Sequence, residues 1–346
     1  MIVVNYKVSV IIPVYNAEEN LENAIKSVIN QTIGFENIEL ILIDDNSTDN
    51  SRNIIKSYQK KYPNNIVPYY SDANHGFPGY GRNVGLKLAS SNYIMFLDND
   101  DEYKEDICEK LYETITSKDV DYVGCNKITV DSISEIKQHL TYKNGTEYDD
   151  YVLIENDDIL FFDSTAVWSK IFKKEIITKN NIKFLEDTHA DDLAFTLDYT
   201  LKIKDMIFLK NYHGIYWKVY DDSLSHTVST NYMDRLLYTY NYMYNSLKNA
   251  NKEEYVNHYM VGKISYAILQ CSYLDSSNEE FNKILDDLRT FEKKINYDIN
   301  LESKWQDIIN YFILNKQYDI AKILLKSLQK LRKITILRKI TRNMKE

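Results

Sequence analysis

Cysteine is scarce in this sequence, and so are the two residues that most often interrupt helices and strands. The 346 residues include three cysteines, four prolines and nine glycines. The cysteines are Cys108, Cys125 and Cys271, and no two of them show Cys-x-x-Cys spacing. Three are too few for a disulfide framework in a chain of this length. We therefore interpret them as thiols of the core and expect a reducing, cytoplasmic compartment.

Long apolar stretches are absent as well. No run of 18 apolar residues occurs in the chain, which excludes the usual pattern of a transmembrane helix. Residues 1–7 also lack the basic stretch, apolar stretch and small-residue cleavage site of a signal peptide. We expect a chain that neither crosses a membrane nor carries an export signal.

Basic residues are outnumbered by acidic ones, 42 to 51, so the formal net charge is −9. An acidic surface argues against nucleic acid as a partner, and we expect none. Residues 330–346 differ, because they carry a charge of +6 and leave −15 on the rest. Lysine and arginine are interleaved there with Leu331, Ile334, Leu337 and Ile340. Such a segment can form a helix on the anionic inner face of the cell membrane; the alternative is a solvated basic end.

Hydrophobic residues make up 44% of the chain, and in the first hundred residues two patterns alternate. Short apolar runs typical of buried strands occur at 8–14, 38–43, 66–70 and 93–97. Between them lie segments with one apolar face at helical spacing, such as 21–29, for which Asn16 is a candidate cap. This alternation predicts an α/β fold with parallel strands and right-handed crossovers.

Glycine is concentrated in one place, since three of the nine are Gly76, Gly79 and Gly81. We interpret this stretch as a loop in which the backbone approaches another group closely or adopts positive φ. We expect Arg82 and Asn83 to open the next helix, where a cation can face a phosphate or a base edge.

The fourth apolar run ends in carboxylates, between Tyr93 and Glu102. Asp98 and Asp100 are two residues apart at the carboxyl end of this strand, where open α/β sheets bind ligands. Both side chains can reach one hard divalent cation or its waters. The alternative is a solvated loop in which Asp100 or Asp101 caps the following helix.

Four segments of the first hundred residues carry a family resemblance. They are Val8–Asn16 (VSVIIPVYN), Ile43–Asp49 (IDDNSTD), Gly81–Leu86 (GRNVGL) and Phe96–Asp101 (FLDNDD). Their letters, order and spacing resemble the successive signatures of the family 2 glycosyltransferases, which have the GT-A fold. The resemblance continues more weakly to about residue 226. It implies an α/β fold with a Rossmann-like, mostly parallel central sheet flanked by helices and followed by a C-terminal helical extension.

The resemblance also suggests domain boundaries. Residues 1–103 correspond to the nucleotide-sugar-binding half of a GT-A domain, 104–229 to its acceptor-binding and catalytic half, and 230–346 to a helical region with a basic amphipathic tail. Two apolar stripes at helical spacing predict core faces in this last region. The stripes are Leu236, Leu237, Tyr240, Met243, Tyr244 and Leu247, and Ile320, Ile323, Leu324, Ser327, Leu328 and Leu331.

In the nucleotide half, the resemblance implies that Asp100 binds Mn²⁺ or Mg²⁺ directly, helped by Asp98 directly or through water. His226 is a candidate third ligand, or else an ordinary surface or core histidine. Asp45, at the end of the second strand, is implied to accept a hydrogen bond from the base, typically uracil. The further candidates for nucleotide contact are Pro13, Tyr15, Asn16, Arg82, Asp98 and Asn99. Tyr15 also has a core alternative.

In the acceptor half, the resemblance points to an acidic pair that precedes an apolar helix face. In this sequence the pair is Asp191 and Asp192. The family usually has Glu at the first of these positions. Asp192 is the candidate general base and Asp191 its alternative; both acids can also serve only a helix N-terminus. Lys218 stands where the family usually has Arg, so the charge is kept and the bidentate fork is lost. Lys218, His189 and Trp168 are candidate acceptor or phosphate contacts.

These expectations describe an inverting, metal-dependent glycosyltransferase that uses a nucleotide diphosphate sugar, typically UDP-linked. The acceptor is expected to be a hydroxyl of a glycan or lipid-linked molecule in the synthesis of a surface polysaccharide such as a capsule. The alternatives are a nucleotidyltransferase and a noncatalytic nucleotide- or glycan-binding protein of the same fold. Pro-Val-Tyr-Asn ends the first strand where a nucleotidyltransferase has a basic, glycine-rich loop, and the intact acidic positions argue against a noncatalytic protein.

Overall fold

The computed structural model describes residues 5–130, 135–138, 144–162, 166–219, 228–274, 276–296 and 304–343, with the backbone alone at 261, 304–306 and 331–343. The chain divides into two compact units, residues 1–219 and 220–346.

The first unit contains one sheet with helices on both of its faces. Its described strands are β1 (Val8–Val14), β2 (Ile38–Asp44), β3 (Ile66–Tyr70), β4 (Tyr93–Phe96), β5 (Glu102–Tyr103), β6 (Tyr122–Val130), β7 (Glu135–Gln138), β8 (Thr146–Glu147), β9 (Val152–Glu155), β10 (Lys170–Lys173) and β11 (Asp205–Lys218). Its described helices are α1 (Leu21–Ile29), α2 (Ser51–Lys61), α3 (Pro78–Leu88), α4 (Ile107–Lys118), α5 (Lys174–Lys179) and α6 (Asp191–Thr200).

The strand order within the described residues is β3-β2-β1-β4-β10-β6-β11-β9-β8, with β5 paired to β11 and β7 paired to β6. β3, β2, β1 and β4 are parallel, as the alternating pattern predicts. Beyond β4 the sheet is mixed, because β10 is antiparallel to both β4 and β6 while β6 is parallel to β11. The carboxyl ends of β1, β2 and β4 therefore meet at one edge.

Alternating residues of the central strands fill two separate cores, one on each face of the sheet. Val10 and Ile12 of β1 belong to the cluster that includes the apolar faces of α1, α2 and α4. Ile11, between them, belongs to the opposite cluster, which includes Phe195 and Tyr199 of α6. Both faces are covered, so β1 and β2 are buried along their whole length. The three cysteines are buried free thiols, as predicted.

The helix that carries Arg82 begins earlier than predicted. α3 starts at Pro78 rather than at Arg82, so Gly79 and Gly81 lie in its first turns and not in a loop. Proline is well suited to the first helical position, because its φ is already helical and its missing N–H has no partner there to lose. The expectation of close approach does apply, because a Cβ on Gly79 would overlap the Leu185 carbonyl.

The described part of the second unit is helical, which confirms the predicted C-terminal helical extension. Its described helices are α7 (Thr230–Asn249), α8 (Val256–Cys271), α9 (Asn278–Lys294), α10 (Lys304–Leu314) and α11 (Tyr318–Asn343). The stripe on α7 is largely buried, with Leu236, Tyr240 and Met243 almost fully covered. Among the described residues, no helix combines the length and apolarity that crossing a bilayer requires.

The predicted core face of α11 is wrong at its beginning. Ile320 and Ile323 are 42% and 66% exposed, whereas Ala321 and Leu325 are fully buried. The helix has apolar residues on two faces, and the neighbouring helices cover the face that contains Ala321 and Leu325. Periodicity alone cannot distinguish these two faces.

Candidate active site

Arg82 lies in the second turn of α3, and its guanidinium group joins two acidic segments. Its Nη2 donates to Asp98 Oδ1 at 2.6 Å, and its Nη1 donates to Asp191 Oδ2 at 2.7 Å. The side chain is buried, and its Nε has no hydrogen-bond partner within the described part of the chain. Burial opposes the charge, but the attraction of Asp191 and Asp98 outweighs it and raises the pKa of Arg82. Arg82 thereby holds the end of β4 against the start of α6.

The segment after β4 is fixed by contacts with two other strands. Asn99 Nδ2 donates to the Pro13 carbonyl oxygen at 3.0 Å, which ties the segment to β1. Asp101 is buried, and its Oδ1 accepts from the Lys218 amide at 2.9 Å, which ties it to β11. Asn99 and Asp101 therefore position the backbone on either side of Asp100.

Asp100 and Asp98 provide a donor set that suits a hard divalent cation. Burial, and then repulsion from Asp98, raises the pKa of Asp100 to about 6. A cation between such carboxylates relieves their repulsion, and carboxylate oxygens are ligands that Mg²⁺ and Mn²⁺ accept. The predicted alternative, in which Asp100 or Asp101 caps the next helix, is wrong because Asp106 occupies the N-cap position of α4.

The described residues contain no group of three or more His, Cys, Asp or Glu side chains placed to hold a metal ion. His226, the candidate third ligand, lies outside the described residues. The two carboxylates fit a cation that takes its remaining ligands from water and from substrate oxygens, as Mg²⁺ commonly does.

Asp191 and Asp192 begin α6, directly after Ala190, whose φ is +60°. Asp191 is 5% exposed and paired with Arg82, whereas Asp192 is half-buried and accepts from the Leu193 amide at 2.9 Å. Burial raises the pKa of Asp191 against the opposing attraction of Arg82. Burial, and then repulsion from Asp191, raises the pKa of Asp192 to about 7. Of the two, Asp192 is the more exposed residue and has a pKa suited to proton transfer near neutral pH.

Asp45 follows β2, and His75 holds its carboxylate in place. The His75 amide donates to Asp45 Oδ2 at 2.8 Å, and the imidazole Nδ1 lies 2.6 Å from Asp45 Oδ1. Because an ionised carboxylate only accepts, Nδ1 is the donor. The His75 ring stacks on Tyr80 with centroids 3.4 Å apart. Asp45 keeps lone pairs for a further donor such as a base imide.

The loop after β1 is joined to the loop after β2. Asn16 Oδ1 accepts from the Thr48 amide at 2.8 Å, and the Asn16 amide donates to Ser47 Oγ at 3.0 Å. Asn16 is not the cap of α1, because the helix begins at Leu21 and Asn20 precedes it directly; the φ of Asn16 is +45°. Tyr15 is 47% exposed, so its core alternative is wrong and its ring can pack against a ligand.

Trp168 lies opposite Trp217 of β11, with ring centroids 6.4 Å apart and planes 21° apart. The Lys127 ammonium group of β6 lies 3.7 Å from the Trp217 centroid and 5.0 Å from the Trp168 centroid. Trp168 is 7% exposed, while Lys127 and Trp217 are half-buried. These three side chains form one group, built from β6, β11 and the segment before β10.

The other predicted acceptor or phosphate contacts are already engaged. The Lys218 ammonium group forms an ion pair with Glu102, and His189 packs edge-on against Phe77 with centroids 4.8 Å apart. Neither contact excludes a substrate role, and both roles stay predictions.

Sequence reasoning missed His75 and Lys127. His75 directly precedes Gly76 in the glycine-rich stretch that leads to Arg82, and this position was its signal. Lys127 lies in the otherwise mostly apolar strand sequence YVGCNKITV, where a lysine needs a reason.

Comparisons with known proteins identify the family. Residues 9–175 match the family model described as glycosyl transferase family 2. TarP of Staphylococcus aureus, a poly(ribitol-phosphate) beta-N-acetylglucosaminyltransferase, is 29% identical over 304 residues, which cover 84% of this chain and 88% of TarP. This chain belongs to glycosyltransferase family 2. The family resemblance of the four sequence segments is thereby confirmed.

The fold of this family 2 chain also matches solved structures. The crystal structure of S. aureus TarS residues 1–349 has a TM-score of 0.69 and 20% identity, covering 93% of this chain and 91% of that one. TarS has also been solved with UDP-GlcNAc. The predicted GT-A fold with a helical extension is confirmed.

One relative is much longer than this family 2 chain. GgaB of Bacillus subtilis, a minor teichoic acid biosynthesis protein, is 53% identical over 107 residues, which are 31% of this chain and only 12% of GgaB. The family is therefore established from the matched domain, while the activity has to be argued from the site.

Proposed function

We propose that this chain is an inverting, metal-dependent glycosyltransferase that moves a sugar from a UDP-sugar to a hydroxyl of a polyol-phosphate polymer of the teichoic acid type. The observation that carries the proposal is the position of Arg82 between Asp98 and Asp191. These two ion pairs of Arg82 place Asp98 and Asp100, which suit a cation, beside Asp191 and Asp192, which include the candidate base. The functions of TarP and GgaB suggest the acceptor class.

On the donor side, the contacts around Asp45 support binding of a nucleobase. His75 orients the Asp45 carboxylate, and the remaining lone pairs of this carboxylate can accept a hydrogen bond from the imide of uracil. The exposed ring of Tyr15 can pack against the base. Asp100 and Asp98 would hold Mn²⁺ or Mg²⁺, which when bound supplies Lewis-acid stabilisation of the diphosphate leaving group.

On the acceptor side, Asp192 is the proposed general base. Its carboxylate is half-buried, so it is partly desolvated and can still reach a bound hydroxyl. With a pKa of about 7, it is substantially ionised at neutral pH and has enough affinity for a proton to take one from the attacking alcohol.

The different environments of the two acids support inversion. Asp191 is buried and paired with Arg82, so its carboxylate is poorly placed to act as a nucleophile on the sugar. That leaves one available base and a single displacement, which inverts the anomeric centre.

The basic segment 330–346 extends this proposal to location. α11 continues as a helix through Asn343, and its sequence alternates basic and apolar residues. We propose that it attaches the chain to an anionic membrane on the cytoplasmic side, where lipid-linked acceptors are presented.

Incubation of the chain with UDP-GlcNAc, UDP-glucose or UDP-galactose, a poly(ribitol-phosphate) acceptor and Mn²⁺ tests the proposed reaction. We expect transfer of sugar from at least one donor, and loss of transfer when EDTA is added. Anomeric configuration of the product, measured by NMR, tests inversion. Binding of UDP without any transfer or donor hydrolysis would favour the noncatalytic alternative.

A further inference from the structure

Lys127 of β6 has a half-buried ammonium group that lies beside two tryptophan rings. It lies 3.7 Å from the Trp217 centroid and 5.0 Å from the Trp168 centroid. Lys127 is opposite Ile215 in the pairing of β6 with β11, so Trp217, two residues further on, lies on the same face of the sheet. Cation–π attraction to the two rings holds the flexible lysine stem in one place.

Arg82 and Lys218, the two other cations named as candidate substrate contacts, already have anionic partners. Arg82 is paired with Asp98 and Asp191, and the Lys218 ammonium group is paired with Glu102. Among the described residues, the close contacts of the Lys127 ammonium group are with the rings of Trp168 and Trp217. An ammonium group whose close contacts are aromatic rings retains the capacity to donate hydrogen bonds to an incoming anion.

Lys127 is also within electrostatic reach of both acidic segments of the candidate active site. Burial lowers the pKa of Lys127 to about 8, and the charges of Asp101 and Asp192 act in the opposite direction. Asp101 follows the proposed metal ligands, and Asp192 is the proposed base. An anion held by Lys127 would therefore be close to the place where the sugar is transferred.

We propose that Lys127, with Trp168 and Trp217 around it, forms a subsite for a phosphate group of a substrate. The ammonium group donates to the phosphate oxygens, and the exposed part of Trp217 packs against carbon atoms next to the phosphate. In this arrangement the subsite performs the anion contact that the sequence pattern assigns to Lys218. The proposal rests on the proposed function, because a UDP-sugar and a polyol-phosphate acceptor are its two possible sources of phosphate.

The two sources are separable by direct binding measurements on the full chain. Isothermal titration with UDP and Mn²⁺ tests the donor diphosphate, and titration with a synthetic ribitol-phosphate oligomer tests the acceptor phosphate. The variants are Lys127→Met, which keeps the stem and removes the charge, and Lys127→Arg, which keeps the charge. Lys118→Met is the matched control, because Lys118 also lies over an aromatic ring, at 5.2 Å from the Tyr151 centroid, but is exposed and outside the candidate site.

We expect Lys127→Met to weaken binding of one probe by at least about tenfold, the loss expected for a charge-assisted hydrogen bond. Lys127→Arg should retain most of the affinity, and Lys118→Met should change nothing. Weakening for the oligomer alone assigns the subsite to the acceptor, and weakening for UDP alone assigns it to the donor. Equal affinities of wild type and Lys127→Met for both probes would overturn the subsite.

Folding and turnover are measured separately in the same preparations. An unchanged unfolding midpoint of Lys127→Met shows that a loss of affinity is local, and Lys127→Gln provides a second neutral variant if the first is unstable. If wild type binds the oligomer through Lys127 but transfers no sugar, the proposed function fails and the subsite stands. If transfer is normal in Lys127→Met and both affinities are unchanged, the subsite fails and the proposed function stands.

Discussion

Asp192 and Asp191 are neighbours in sequence with different surroundings, so their replacement should have different effects. Asp192→Asn removes the proposed base without breaking an ion pair, and we expect kcat to fall by about 10²- to 10⁴-fold with little change in UDP affinity. Asp191→Asn instead leaves the buried Arg82 with one carboxylate and should lower the unfolding midpoint as well. A Asp192→Asn variant with near wild-type kcat would show that Asp192 is not the base.

The pKa of Asp192 predicts the acidic side of the pH–rate profile. Burial and Asp191 raise this pKa to about 7, and a general base has to be deprotonated to act. We therefore expect kcat/KM to fall about tenfold per pH unit below about pH 7 and to level off above it. The measurement is initial transfer rate with saturating Mn²⁺ at constant ionic strength. A profile that stays flat down to pH 5 would contradict the assignment.

At the scale of elements, the start of α3 packs against the segment before α6 with no room for a side chain. A Cβ at Gly79 would overlap the Leu185 carbonyl, which is backbone and cannot rotate away. We expect Gly79→Ala to destabilise the chain by about 1–3 kcal/mol, a typical overpacking cost, and to lower kcat by displacing Asp191. Urea unfolding and initial rates measure the two effects.

Gly262 is the matched control for this substitution. It also lies inside a helix, α8, and a Cβ there meets nothing within 4 Å. We expect Gly262→Ala to be neutral or to stabilise by up to about 1 kcal/mol, since alanine favours helix. Equal effects at the two glycines would mean that steric contact at Leu185 is unimportant.

α9 places a carboxylate in the core of the second unit. Glu292 is 1% exposed, and neither of its oxygens has a hydrogen-bond partner among the described residues. Burial raises the pKa of Glu292 from 4.5 to about 8, although the neighbouring Asn310 lowers it in part. At a pH between these two pKa values, Glu292 keeps its proton in the folded chain and releases it in the unfolded chain. The free energy of unfolding should therefore decrease as pH rises through this window, by up to about 1.4 kcal/mol per unit.

Glu292→Gln should remove this dependence and raise the unfolding midpoint at pH 8. The neutral amide has nearly the shape of the protonated acid and nothing to ionise. Glu279→Gln, on the exposed first turn of the same helix, should have little effect. Thermal unfolding of the full chain at pH 5, 6.5 and 8 provides the comparison. Parallel pH dependence of wild type and Glu292→Gln would rule out Glu292 as the cause.

At the scale of the whole molecule, a truncation within α11 can remove its basic end and keep the buried residues at its start. Truncation after Lys326 keeps Ala321 and Leu325 in the core and keeps the Lys326 contact with the Leu274 carbonyl at 2.7 Å. We expect binding to phosphatidylglycerol vesicles, measured by sedimentation, to decrease strongly, since each basic residue near an anionic surface contributes about 1 kcal/mol. Neutral vesicles are the control, and undiminished binding of the truncated chain would exclude this attachment.

The sequence is sufficient for those parts of the molecule that local pattern decides. The strands and helices of the first hundred residues, the carboxylates at the end of β4 and the acidic pair at the start of α6 follow from apolar periodicity and from four segments with a family resemblance. The surroundings of these acids do not follow, because they depend on long-range contacts. Three contacts appear only once the chain is folded. They are the pairing of Arg82 with Asp191, the contact of His75 with Asp45 and the position of Lys127 beside two tryptophan rings.

The surface of α11 shows the same limit at a larger scale. Its sequence has apolar residues on two faces, and only packing decides that Ala321 is buried and Ile323 exposed. An apolar stripe in the sequence predicts that one face of a helix is apolar. Whether that face is buried depends on which other helices pack against it.

The ion pair between Arg82 and Asp191 also limits how this protein can be divided for study. A fragment that ends at residue 175, where the match to the family model stops, would keep Arg82 and lose Asp191 together with Leu185, against which α3 packs. Such a fragment would contain an interior cation with half of its neutralising charge and an uncovered helix. We expect it to be recovered in inclusion bodies, so expression trials for crystallography should place the first cut at residue 219.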